Sequence, residues 1–244
     1  MKKSKTILAG ILACALLVLL FTGGCSKSDN TPPILPHDPW FGKIKTTHEQ
    51  GQNVDTFFYD SSARCIKQAA SDGSYVSYVY SSGLVTRYHF NAGQTIASDT
   101  TIYTLNSQGY VSSDGTDSYT YDSAGYQTSR TLQPGGIGPL NFTDVWRNEN
   151  LDSLHYETQP TGFFWAYTYF TDKINTIGND NAGFGIWGKS SKNLLSSSVY
   201  KFAGSISTND FTYEFDANNR VTKLTQTATG SGTGSIVVSY TYYD

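Results

Sequence analysis

Charge, cysteine and helical periodicity are all scarce in this chain. Charged residues fill 15% of its 244 positions, and the only glutamates are Glu49, Glu149, Glu157 and Glu214. So few leave little material for the paired carboxylates of glycoside hydrolysis, although acids distant in sequence can still meet in a fold. The four histidines, His37, His48, His89 and His155, are scattered, whereas a metal site needs clustered ligands. Asn179-Asp180-Asn181 is similar to the start of a calcium loop, but the full pattern and its terminal glutamate are missing, so turn chemistry explains it better. Serines are plentiful without a G-x-S-x-G elbow. Gly230-Ser231-Gly232-Thr233-Gly234 lacks the lysine and helix of a phosphate loop and reads as a hairpin connection. No cofactor motif, metal site or catalytic residue is assigned. A formal charge of −3 offers no basic face for nucleic acid. No stretch sustains a 3.6-residue apolar period with caps, so helix is a minor component.

Long apolar runs are limited to one. Lys2, Lys3 and Lys5 precede an uncharged, largely apolar run of fifteen residues from Ile7 to Phe21. A bilayer span needs about 20, so these are the proportions of a secretory signal. The run ends Phe21-Thr22-Gly23-Gly24-Cys25. Small residues before a cysteine resemble a bacterial lipobox, where the leader is cut before Cys and the thiol carries diacylglycerol. Thr22 stands where leucine is usual. Residues 1–24 are therefore expected to be a signal peptide and Cys25 a lipid anchor in the bilayer. Residues 25–39, with Pro32, Pro33, Pro36 and Pro39, form an extended tether, and 40–244 a single domain. The expected address is the outer membrane, facing the periplasm or the cell exterior. Losing three leader lysines takes the formal charge from −3 to −6. Cys14 leaves with the leader, so Cys65 has no partner for an intrachain disulfide; a small apolar role suits it better than a reactive one.

From about Val54 a phrase recurs: aromatic-x-aromatic, a turn with Asp, Asn or Ser, then a β-branched or polar strand. Phe211–Leu224, F-T-Y-E-F-D-A-N-N-R-V-T-K-L, is its best copy and reads as a β-hairpin. The residues before the turns are Tyr59, Tyr80, Leu105, Tyr121, Trp146, Tyr169 and Phe215, at intervals of 16 to 25 residues and lastly 46. One hairpin and its return fit that period, implying about fourteen strands. The expected fold is all-β: an antiparallel meander of repeated hairpins in a large twisted sheet, curved or rolled. The uneven intervals favour this over a closed barrel.

Together with the lipobox, the G-K-S-S-K-N-L phrase at 188–194 and the terminal Y-T-Y-Y at 240–243, these units resemble a family of Bacteroidetes lipoproteins of unknown function. The hairpin phrase is also similar to the tyrosine-aspartate repeats of Rhs-type secreted proteins. Ser81 departs from the phrase by replacing its Asp, and Ala63 and Asn219 occupy glycine positions. The resemblance implies a structural β array at the cell envelope and transfers no catalytic residue.

One segment interrupts the pattern. Residues 179–198, N-D-N-A-G-F-G-I-W-G-K-S-S-K-N-L-L-S-S-S, embed Phe184 and Trp187 among glycines. Indoles stack on sugar rings when exposed; of Trp40, Trp146, Trp165 and Trp187, the last is the best candidate, with Phe184 beside it, and Trp165 looks like strand core. Three functions follow in order: a non-enzymatic binding or scaffolding module for an envelope protein, a glycan-binding lipoprotein using Trp187, and a hydrolase of unfamiliar type.

Overall fold

A computed structural model of the chain describes residues 24–25, 40–136, 138–156, 163–202, 205–230 and 233–244. The leader and most of the tether lie outside them. Gly24–Cys25 (β1) is a two-residue backbone bridge running parallel to Ala70–Ser71. The remaining strands are β2 (Ile44–Glu49), β3 (Val54–Tyr59), β4 (Cys65–Ser71), β5 (Tyr75–Ser81), β6 (Leu84–Phe90), β7 (Asp99–Leu105), β8 (Val111–Ser113) and β9 (Ser118–Tyr121). They continue as β10 (Gln127–Leu132), β11 (Leu140–Arg147), β12 (Asn150–Tyr156), β13 (Phe164–Ile174), β14 (Asn193–Phe202), β15 (Ser205–Phe215), β16 (Val221–Gly230) and β17 (Gly234–Tyr242).

Each of these strands pairs antiparallel with its sequence neighbours, and β17 returns to β2, from Val238↔Glu49 to Tyr242↔Ile44. The described residues therefore close a sixteen-stranded barrel. This overturns the open or rolled meander expected from the sequence. Closure is decided by the ladder between the first and last strands, whose residues alternate identically in an open sheet. Uneven spacing of the turns does not oppose it, because connections of different length absorb the differences.

Register partners share a face of the sheet, which separates the inside from the outside. Inward positions carry Phe57, Tyr78, Tyr103, Phe211, Leu224 and Tyr240, all buried. Many outward partners are polar: Thr46 opposite Thr241, Thr120 opposite Ser129, Thr168 opposite Ser197, Thr212 opposite Thr225 and Glu214 opposite Lys223. Among the described residues, exposed apolar side chains are most numerous on β3 to β7, with Phe58, Ile66, Val79, Leu84 and Ile102, while Ile174 on β13 and Ile206 on β15 stand apart.

The tight turns explain the recurring phrase. Asp60, Asn106, Asp122 and Asp216 each accept, through Oδ1, the backbone N–H groups two and four residues on. The residue before the turn closes is left-handed in all four: Ala63, Gly109, Gly125 and Asn219. Glycine takes that conformation without cost, whereas the side-chain amide of Asn219 tolerates it. The aromatics beside these turns brace neighbouring strands. The hydroxyls of Tyr59, Tyr80, Tyr169, Tyr213 and Tyr242 donate to the carbonyls of Ile44, Cys65, Leu151, Leu195 and Val221 at 2.5–2.9 Å. Trp146 Nε1 does the same to Gln127 at 2.6 Å. Six strand pairs are thus tied at one end of the barrel.

Candidate binding site in the barrel lumen

The connection from β13 to β14, residues 175–192, folds into the mouth at the tight-turn end. Backbone bonds fasten it to the wall on several sides: Ile44 N–H to Asn181 O at 3.0 Å, Cys65 N–H to Gly183 O at 3.0 Å, and Lys189 N–H to Gly125 O at 2.9 Å. Val221 N–H donates to Thr176 Oγ1 at 3.0 Å. Asn179 Nδ2 holds the segment to itself through Gly188 O at 3.1 Å. A 3-10 turn at Gly185–Trp187 then presents Phe184 and Trp187 to the interior. Phe184 meets Phe57 and Tyr78 at 6.3 and 5.2 Å between ring centroids; Trp187 meets Tyr103 and Tyr119 at 5.2 and 5.5 Å.

Glycine is required for this seating at Gly183. Its φ is +73°, and a Cβ there would stand 2.5 Å from the Tyr59 ring and 2.6 Å from the Cys65 amide nitrogen. Gly183→Ala is expected to cost about 2–4 kcal/mol through overpacking and the left-handed backbone, lowering Tm on the order of 5–15 °C. Calorimetry checks this; an unchanged Tm would mean that the plug is not seated as described.

Above the plug lies a cavity of about 450 Å³, within the range that holds small ligands. Phe184, Trp187 and Ala182 line it from the plug, and Phe57, Tyr78, Tyr103, Tyr119 and Tyr240 from the wall. Its polar lining is Glu49, Asp55, Asp114 and Asp117 with Arg87, Arg130 and Gln127. Most of the acids already work in the structure. Asp114 Oδ1 accepts the Thr116 and Asp117 amides at 3.0 and 2.7 Å, and its Oδ2 accepts the Tyr119 hydroxyl at 3.1 Å. Asp117 Oδ1 accepts the Gln133 amide at 2.7 Å, yet burial and the Asp114 charge raise its carboxyl above the usual range. Asp55, 1% exposed, accepts from Gln68 Nε2 at 2.9 Å.

Behind Arg130 sits Asp144, whose side chain is 4% exposed. Its Oδ2 accepts from Gln127 Nε2 at 2.8 Å, while Oδ1 makes no hydrogen bond and stands 3.9 Å from Arg130 Nη2. Burial holds this carboxyl above the normal range, against the opposing pull of Arg130 and Gln127. Arg130 Nε, Arg87 Nε and the Tyr121 hydroxyl are likewise buried without a hydrogen bond.

Phe184 and Trp187, singled out in the sequence, thus come together in the lumen. Cys25 is described only in its backbone. Trp40 donates to Asp60 O and packs on Tyr243, and Trp165 packs among Phe142, Phe163 and Tyr200. Cys65 is fully buried, which pushes its thiol up to about 12. Among the described residues no group of three His, Cys, Asp or Glu could hold a metal, and Asp180 serves the plug through its carbonyl, which accepts from Gly183 N–H and Lys43 Nζ. Sequence reasoning missed Arg87, Arg130 and Asp144. Their signal was present: each is a charge at an inward position of an alternating strand, in L-V-T-R-Y-H-F, Q-T-S-R-T-L and N-F-T-D-V-W.

No family model and no curated protein matches the chain. Among solved structures, the crystal structure of a porin-like protein from Bacteroides uniformis resembles it with a TM-score of 0.62 at 16% identity, covering 85% of this chain and 99% of that one. At that identity the likeness shows the fold alone, an all-β closed barrel of porin-like form.

Proposed function

We propose that this chain is a non-catalytic binding barrel of the cell envelope, held at the outer membrane by a lipid on Cys25, whose plugged lumen takes one small ligand. The observation that carries this reading is the cavity of about 450 Å³ with Phe184 and Trp187 at its closed end. A closed ring leaves no sheet edge for strand addition, so the lumen is favoured over a scaffolding surface. To test it, the full chain in a non-glycosidic detergent is screened by thermal shift against sugars, organic acids, amines and lipids. At least one compound should raise Tm, and Trp187→Ala should weaken its binding by about tenfold or more, the size of a lost aromatic contact. A screen without any stabilising compound, or binding indifferent to Trp187→Ala, would overturn the lumenal site.

The porin-like fold accords with an outer-membrane address, but exposed apolar side chains are grouped on part of the wall rather than in a band around it. Spanning barrels turn an apolar band about 25 Å tall toward lipid and keep a polar interior. Here threonine and a glutamate–lysine pair face out on β15 and β16, exposed apolar side chains are grouped on β3 to β7, and many aromatics face in. Cys25→Ala is therefore expected to move the protein into the aqueous phase of a detergent partition. Retention in membranes would mean that the wall itself inserts. A hydrolytic reading has one observation in its favour, the acids converging in the lumen; product release from a stabilising compound would promote it.

A further inference from the structure

The outer wall differs from one side of the ring to the other. On β3 to β7, Phe58 shares the outward face with Lys67, Ser77 and Tyr88, and Val79 shares it with Thr86 and Ile102. Phe58, Ile66, Val79, Leu84 and Ile102 are each 37–54% exposed there. On the same face Tyr75 stacks on Phe90 at 4.4 Å, and Lys67 Nζ lies 4.4 Å from the centre of the Tyr75 ring. Lys67 is the one charge at the outward register positions of these five strands, and no Asp or Glu stands among them. On β15 and β16, by contrast, Asp210, Glu214 and Lys223 face out.

The described chain meets this sector at both ends. Trp40 Nε1 donates at 2.8 Å to Asp60 O, in the turn that joins β3 to β4. The Gly24–Cys25 backbone bridges to Ala70–Ser71, at the other end of β4. A lipid on Cys25 thus starts beside β4, on the opposite side of the ring from β12 and β13.

We infer that the β3–β7 sector is the face this barrel lays against the lipid bilayer, at the level of the headgroups. The inference rests on the Cys25 anchor of the proposed function and adds the side on which the barrel lies. Aliphatic and tyrosine side chains around a single lysine are the chemistry of the membrane interface: the rings sit among the headgroups, and the ammonium reaches their phosphates. The outer face of a closed ring is convex. A second copy set against it would meet it along a narrow strip, short of the roughly 800 Å² per partner of a stable protein interface, whereas a fluid bilayer conforms to it. A patch on one sector orients the barrel without inserting it, so the protein still leaves the membrane when its lipid is lost.

The test places an environment-sensitive fluorophore on single cysteines of the full lipidated chain. The chain is reconstituted in vesicles of phosphatidylethanolamine and phosphatidylglycerol that carry a spin-labelled quencher lipid. Cys65 is buried and stays unlabelled. At Val79→Cys and Ile102→Cys the emission should shift to the blue and be quenched. At Thr168→Cys, exposed on β13, neither should happen. Adding Phe58→Asp and Leu84→Asp should abolish the quenching while Tm and the acyl mass on Cys25 stay unchanged. Water-like emission at Val79 and Ile102 on an acylated chain would overturn the docking and leave the anchor standing. Equal quenching at Thr168 would overturn it as well, because the whole wall would then lie in lipid. A blue shift in the Cys25→Ala chain in buffer would also overturn it, assigning the sector to a second copy if the shift grows with protein concentration and to residues 26–39 if it does not. Mass spectrometry of Cys25 reads the anchor separately. If no acyl group is found, quenching of the Val79 label in the Cys25→Ala background would keep the docking and overturn the anchor; its absence would overturn both.

Discussion

A chain that stops at Thr233 is expected to give no soluble monomer. Removing Gly234–Asp244 takes away β17, which pairs with both β16 and β2. It also removes Tyr240, Tyr242 and Tyr243, between 5% and 7% exposed, and two of the ties that hold the tight-turn end, Tyr242 to Val221 O and Tyr243 to Phe57 O. Emptying one buried aromatic site costs about 3–5 kcal/mol, so three sites approach the whole stability of a domain, about 5–15 kcal/mol. The strands left on either side of the gap become free edges that pair between molecules. Size-exclusion chromatography with light scattering should show aggregates or no recovery. A folded monomer would mean that the ring does not depend on its closing strand.

The second large effect is alkaline collapse. Burial raises the phenols of Tyr59, Tyr78, Tyr80, Tyr119, Tyr121, Tyr167, Tyr213 and Tyr240 well above the ordinary value near 10, and pushes Tyr169 and Tyr242 up to about 12. In the unfolded chain these groups lose their protons near pH 10. Between that pH and the folded values the native barrel binds more protons than the unfolded chain, so stability falls as pH rises. Their protonated packing is fully stabilising below about pH 10 and is lost above it. Each such tyrosine removes about 1.4 kcal/mol per pH unit, and several acting together exhaust the stability of a domain within about one or two units. Phenolate absorbance should therefore appear in one cooperative step that coincides with loss of the near-ultraviolet circular dichroism. A gradual, non-cooperative titration starting near pH 10 would show that the tyrosines are accessible in the native state.

How much of this was legible in the sequence differs by feature. The turns were readable because Asp60, Asp122 and Asp216 act on residues only two and four positions away. The inward aromatics of Phe211–Phe215 were readable for the same reason, since alternation is a local property. Closure was not, because Thr46 and Thr241 lie side by side while no local pattern distinguishes a paired edge from a free one. Phe184 and Trp187 stood out through the glycines around them, which the structure explains by the tight seating of Gly183 and Gly188. Arg87, Arg130 and Asp144 did not, because a charge in a strand reads as solvent-facing until the inner face is known.

The plug at 175–192 has a kinetic consequence. A lumen stoppered at one end would fill and empty through the opposite end, where the connections at 91–98 and 114–117 lie. On the lumenal-binding reading proposed above, an occupant would have to leave before its successor arrives, so exchange would follow the dissociation rate. Passage along the barrel axis, the traffic pattern of a diffusion channel, would require the segment bearing Trp187 to be expelled, together with the bonds at Ile44, Cys65, Lys189 and Val221 that seat it.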